Sequence, residues 1–208
     1  MKLKKKVKKI LITLLAIVIL IVGGIVVYKL NFDKTEVKEA KILNTIKEYG
    51  YTLKDNKSKR YKELFSELEN ILTKDTVDEE KYVEKISEMF IYDFYSLDDK
   101  TAKTDVGGVD FIHPDILENF LQNAENTYYK YVESNIYNNR KQELPTVDEI
   151  TIENIEETSY EYNDKTAEQA YEVKIKWTYT EEKYADYQNE ATLIFVKEGI
   201  KEYLVELK

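Results

Sequence analysis

The sequence predicts an α+β domain, helices first and an antiparallel sheet last, held behind one transmembrane helix, and three observations carry that reading. The nineteen residues from Ile10 to Tyr28 carry no charge. Three later segments repeat apolar residues at helical spacing. The C-terminal third instead alternates apolar and polar residues, the period of a half-buried strand.

The apolar segment comes first in the chain. At 1.5 Å per residue it would make roughly 28 Å of helix, close to the ~30 Å hydrocarbon core of a bilayer. Leu11, Leu14, Leu15, Ile17, Val18 and Ile19 surround the axis instead of forming a stripe, as lipid requires. Lys2, Lys4, Lys5, Lys6, Lys8 and Lys9 precede it, and positive flanks stay in the cytoplasm. The expected organisation is therefore a basic cytoplasmic tail over 1–9, a spanning helix over 10–28, a stalk over 29–45 and an extracytoplasmic domain over 46–208. Gly23-Gly24 followed by Ile25 and Val26 makes a poor signal-peptide cleavage site, and a lipoprotein signal needs a cysteine that the chain lacks.

Composition bounds the function. Without the six N-terminal lysines, 25 basic residues face 40 acidic ones, a net charge of −15. That excludes nucleic acid as a default partner, because a phosphate-binding surface concentrates positive charge. The absence of cysteine excludes disulfides, iron–sulfur clusters, thiol catalysis and cysteine-bound zinc. Arginine occurs only at Arg60 and Arg140 against abundant Lys, Ile, Asn and Tyr, the composition of an AT-rich bacterium.

The stalk is expected to continue helically into Ile42, Leu43 and Ile46. Tyr49, Tyr51 and Leu53 alternate and suggest a short strand, ended by Asp55-Asn56. Tyr61, Leu64, Phe65, Leu68, Ile71 and Leu72 fit one helix face, with Ser58 as its cap. Thr76 and Glu79 form a capping box for a second helix that buries Tyr82, Val83, Ile86, Met89, Phe90 and Phe94 and ends near Tyr95. The polar stretch Ser96 to Asp110 contains Gly107-Gly108, where a turn needs positive φ. Pro114 suits the first turn of a third helix, whose face of Leu117, Phe120, Leu121, Ala124, Tyr128, Tyr131 and Val132 carries it to about Asn135. Tyr171, Val173, Ile175, Trp177 and Tyr179 alternate with polar residues in the clearest strand of the chain. Around it Ile150 to Tyr162, Ala191 to Val196 and Tyr203 to Leu207 complete a meander turning at Asn163-Asp164 and Glu198-Gly199.

This order of elements, over about residues 45 to 208, resembles the nuclear transport factor 2-like cone fold. Its membrane-anchored versions include single-pass assembly components of type IV secretion and conjugation systems. The resemblance lies in topology and carries no active-site residues. Together with the tether and the lack of a complete catalytic constellation, that expected fold points to a non-enzymatic module that docks to other envelope proteins or to itself.

Candidate chemistry is sparse. His113 is the only histidine, so an acid–base role requires a carboxylate beside it, with Asp93, Asp105, Asp110 and Asp115 as candidates. Asp105 to Asp110 lacks the Gly-Lys-Ser/Thr ending of a phosphate loop, and Asp98, Asp99, Asp105 and Asp110 lack calcium-loop spacing. No metal or other cofactor is expected. Phe90, Tyr92, Phe94 and Tyr95 with Asp93 form the densest aromatic group. Tyr92, Asp93, Tyr95, Gly107, Gly108, His113 and Trp177 are the residues expected at a ligand or partner surface. A small apolar or aromatic ligand in a tyrosine-rich pocket is the alternative occupant, and a His/Asp enzyme the remaining one.

Overall fold

The computed structural model describes residues 40–162 and 165–208, together with Val22 and Gly23. The expected spanning segment, apart from those two residues, lies outside the described ones. Among the described residues no helix is long and apolar enough to cross a membrane. Residues 40–208 form one compact unit.

That unit opens with a hairpin, β1 (Ile42–Ile46) against β2 (Tyr51–Lys54). The helical continuation expected of the stalk is thus corrected. Tyr51 and Leu53 are buried and need a strand partner, which Ile42 to Ile46 provides, and Gly50 closes the turn at φ +73°. Helix α1 (Lys59–Leu72) starts where Ser58 accepts the amide of Tyr61 at 3.1 Å, and it buries Tyr61, Leu64, Phe65, Leu68 and Leu72.

Helix α2 (Glu79–Tyr95) is capped by Asp78, which accepts the Lys81 amide, so its cap lies two residues beyond the Thr76 that the box predicts. Every residue from Met89 to Tyr95 is buried. A helix end covered on all sides belongs in the middle of a domain, and the C-terminal half of α2 is the centre of this one. Helix α3 (Pro114–Asn126) has Pro114 at its first turn as expected, but it stops well short of Asn135. The Thr127 amide bonds to Asn123 and Ala124, the Tyr129 amide also returns to Ala124, and Tyr129 swings fully inside while Tyr131 is exposed.

The C-terminal half is the predicted meander. Strands β3 (Val147–Tyr162), β4 (Lys165–Tyr179), β5 (Glu190–Glu198) and β6 (Lys201–Leu207) pair antiparallel in chain order, so β3 and β6 are the edges. Val173, Ile175, Trp177, Leu193, Phe195 and Leu204 face the helices and join their core. The opposite face holds a smaller cluster, Ala170, Ile194, Val196 and Val205, packed by Tyr160, Tyr162 and Ala167. The β3–β4 arm extends beyond the end of β5 pairing at Ala170, and Tyr160 hydrogen-bonds Glu206 on β6. The arm therefore bends back across β5 to cover that second face.

Candidate functional site

The seven residues singled out by sequence fall into three places. The first is a buried ionic knot. Asp93, on the inner side of α2, accepts the Gly108 amide at 2.9 Å and the Lys100 ammonium at 3.0 Å, and pairs with Lys57. Lys100 also holds Asp99 at 2.7 Å and is itself buried. Burial alone would raise the pKa of Asp93, but Lys100 and Lys57 outweigh it and hold the carboxyl far below its ordinary range. Gly107 fits because its backbone lies against α2: a Cβ there would stand 2.0 Å from the Asp93 carbonyl oxygen. Gly108 takes φ +73°, as expected of this turn. Tyr92, just outside, accepts the Ser58 hydroxyl at 3.1 Å. The arrangement fastens the 97–110 loop to α2.

The second place is His113. It is buried, not on the surface, and caps α3: its Nδ1 accepts the Asp115 amide at 3.1 Å, so Nε2 carries the proton and faces Glu198 at 3.1 Å. Tyr162 and Tyr203 pack edge-on against the ring. The carboxylate in hydrogen-bond reach is Glu198, on the far strand, which sequence could not pair with it. The two ring nitrogens are engaged by α3 and by Glu198 at the end of β5, and the curled arm meets the ring through Tyr162.

The third place is open. A groove of about 380 Å³ lies between α3 and β6. Phe94 and Tyr95 of α2 line it with Ile116 and Phe120 of α3, Tyr128 behind them, and Leu204 to Leu207 opposite. Tyr95 is held in place from below by Trp177, whose ring centroid is 4.3 Å away. Asn119, Asn123, Thr127, Gln188 and Glu206 supply polar atoms at the rim. Helix α3 has the period of a buried amphipathic helix, yet Ile116, Leu117, Phe120 and Leu121 are only half-buried and Ala124 alone is fully covered. The helix stands off from the sheet edge, and its apolar face lacks a complete neighbour. Sequence marked Phe120 and Leu204 as apolar; only the fold reveals that they face each other across a gap.

One further group escaped the sequence altogether. Glu202 on β6 is completely buried, and among the described residues neither carboxylate oxygen has a hydrogen-bond partner. Its backbone is well held: the amide donates to the Tyr82 hydroxyl at 3.2 Å, and Tyr82 and Tyr51 share a 2.6 Å hydrogen bond beside it. Burial pushes the Glu202 carboxyl up to about 7, with Lys197 opposing and Glu79 adding to the shift. Among the described residues no three His, Asp or Glu side chains converge as metal ligands. No protein-family model, curated protein or solved structure matches the chain.

Proposed function

We propose that this chain is a membrane-tethered interaction module of the bacterial envelope, non-enzymatic, and that its partner docks in the α3–β6 groove. One observation carries the reading: an amphipathic helix leaves its apolar face half-covered above an aromatic floor, although the rest of the core is tightly closed. The six N-terminal lysines and the apolar segment behind them supply the tether and place the domain outside the cytoplasm. Helices followed by a meander with one face against them support a cone-like domain of the nuclear transport factor 2-like kind. A purely acid–base role is disfavoured because His113 is committed on both nitrogens.

The test is site-specific photo-crosslinking in intact membranes. A photo-reactive residue at Asn119 is expected to trap a distinct envelope protein, whereas one at Lys59, on the exposed face of α1, traps none. Recovery of monomer alone from both positions overturns the reading. Protease added to spheroplasts checks the tether: digestion of the domain is expected, and resistance until the membrane is opened would place it in the cytoplasm.

A further inference from the structure

The edge of β6 has a vacant strand position that its own chain begins to fill. Ile112 bridges Leu204 in parallel, and the His113 amide donates to the Leu204 carbonyl at 2.9 Å. That is the first rung of a fifth strand. Pro114 then turns the chain into α3, away from the sheet, and the rest of the edge has the groove beside it. On the other side of β6, Lys208 and Thr192 exchange both backbone bonds at 2.9 Å. Antiparallel pairs alternate between bonded and non-bonded positions, so the N–H and C=O of Leu207 point outward, toward the groove side.

Resting on the docking reading above, we infer that the groove takes an extended polypeptide segment as a strand beside β6, and that this segment is basic on its outer face. Three features select that occupant. The first is the edge itself, whose outward amide and carbonyl need peptide partners that a small apolar ligand cannot supply. The second is side-chain direction. Leu204 and Leu207 face the helices, while a register shift between Ile194 and Phe195 leaves both Val205 and Glu206 toward the outer face. Inward residues of a guest strand would thus meet Phe94, Tyr95 and Phe120, and outward ones would pass Glu206. The third is charge. Among the described residues Glu206 is the only charged one lining the groove; its Oε2 takes both Lys208, at 2.7 Å, and the Tyr160 hydroxyl, so a guest cation would meet Oε1. Nine basic and three acidic residues precede Ala40, leaving 22 basic against 37 acidic in the compact unit, a net −15. A second copy would bring the same negative charge and be repelled. Leu204 is already taken by Ile112 and His113, so the free edge runs from Val205 to Leu207 and, at ~3.3 Å per residue, matches a guest of about three or four residues.

The probe is a displayed library of random heptapeptides, selected against the full chain in detergent micelles. Enriched sequences are expected to alternate apolar residues with Lys or Arg in the opposite phase. A synthetic enriched peptide should lose about tenfold in affinity when the amides facing β6 are N-methylated and little when the alternate amides are, since one net hydrogen bond is worth roughly a factor of ten. Glu206→Lys, with its fold checked by circular dichroism, should weaken the same peptide by a similar factor. Enrichment of peptides with helical spacing or of acidic peptides, equal tolerance of both methylation phases, indifference to Glu206→Lys, or no enrichment at all would each overturn the inference. If the Asn119 crosslinker still traps an envelope protein in that event, the docking reading stands and only the strand geometry falls.

Discussion

Asp93 and Tyr95 lie two residues apart on α2, and they border opposite kinds of environment. Around Asp93 every polar atom is matched: two ammonium groups, a backbone amide and a glycine that lets the loop come within contact distance. Beyond Tyr95 the packing stops, and half-covered apolar side chains face a gap bordered by an unfinished sheet edge. The sequence gives both residues the same aromatic and acidic neighbourhood. What separates them is the partner each element meets. A site closed by charge pairing is a fastening, and a site left apolar and open is a surface kept for something else.

The largest effect should come from breaking the fastening. In Asp93→Ala, Lys100 stays buried without its principal counter-charge, and losing one member of a buried pair costs about 3–5 kcal/mol. Urea denaturation of the variant is expected to show a loss of that size. A loss below about 1 kcal/mol, the range of exposed pairs, would mean that water reaches the knot and that it is not the closed region described.

A buried carboxylate without partners gives the next effect and the opposite sign. The folded state raises the Glu202 pKa from 4.5 to about 7, so the native protein holds a proton that the unfolded chain releases. Stability from this group is therefore fully present below pH 4.5 and drains away as pH rises toward 7, by up to about 3 kcal/mol at 1.36 kcal/mol per pKa unit. Glu202→Gln removes the titration. Its stability relative to wild type should climb across that window and level off above it, read by denaturant midpoints at pH 4.5, 6 and 8. A difference that stays flat with pH would show that Glu202 remains ionised and solvated.

These two carboxylates also mark how far the sequence could be read. Periodicity located α1, the end of α2, the start of α3 and all four strands of the meander, because burial of one face imposes that period directly. Ser58 and Pro114 were legible as caps because their chemistry is local. Ile42 to Ile46 was not, since Ile42, Leu43 and Ile46 are spaced as on a helix, Ile42 and Leu43 are exposed, and the strand exists because β2 needs a partner. The end of α3 was hidden for a related reason: Tyr128, Tyr131 and Val132 keep the helical spacing, but burial of Tyr129 and its bonds to Phe94 and Gly107 prevail. Lys100 and Glu202 look like surface residues in the sequence. Their burial is a property of what folds over them, and so is the groove, which consists of residues that sequence marks as apolar and a neighbour that does not arrive.

The smallest effect on stability should come from the rim of that groove, where it is most informative about function. Asn119 is exposed and lines the groove beside Phe120, and substitutions at such positions stay within about 0.5 kcal/mol of wild type. Asn119→Asp adds a carboxylate to a rim whose only charge among the described residues is Glu206, and Asn119→Lys adds the opposite one. If the guest is a basic strand, the aspartate variant should bind it a few-fold more tightly and the lysine variant a few-fold more weakly, as an exposed pair worth up to about 1 kcal/mol allows. Both shifts should shrink as salt is raised, because the groove is open to solvent and its charges are screened over about 10 Å at 0.1 M salt. Fluorescence anisotropy of a labelled library-derived peptide, titrated with each full-chain variant at two salt concentrations, reads all of this at once. Equal affinity for the two variants would remove charge from the recognition and leave the apolar floor of Phe94, Tyr95 and Phe120 to act alone; a reversed order would make the partner acidic. Either result leaves the Asp93 and Glu202 predictions untouched, since those residues hold the domain together whatever the groove binds.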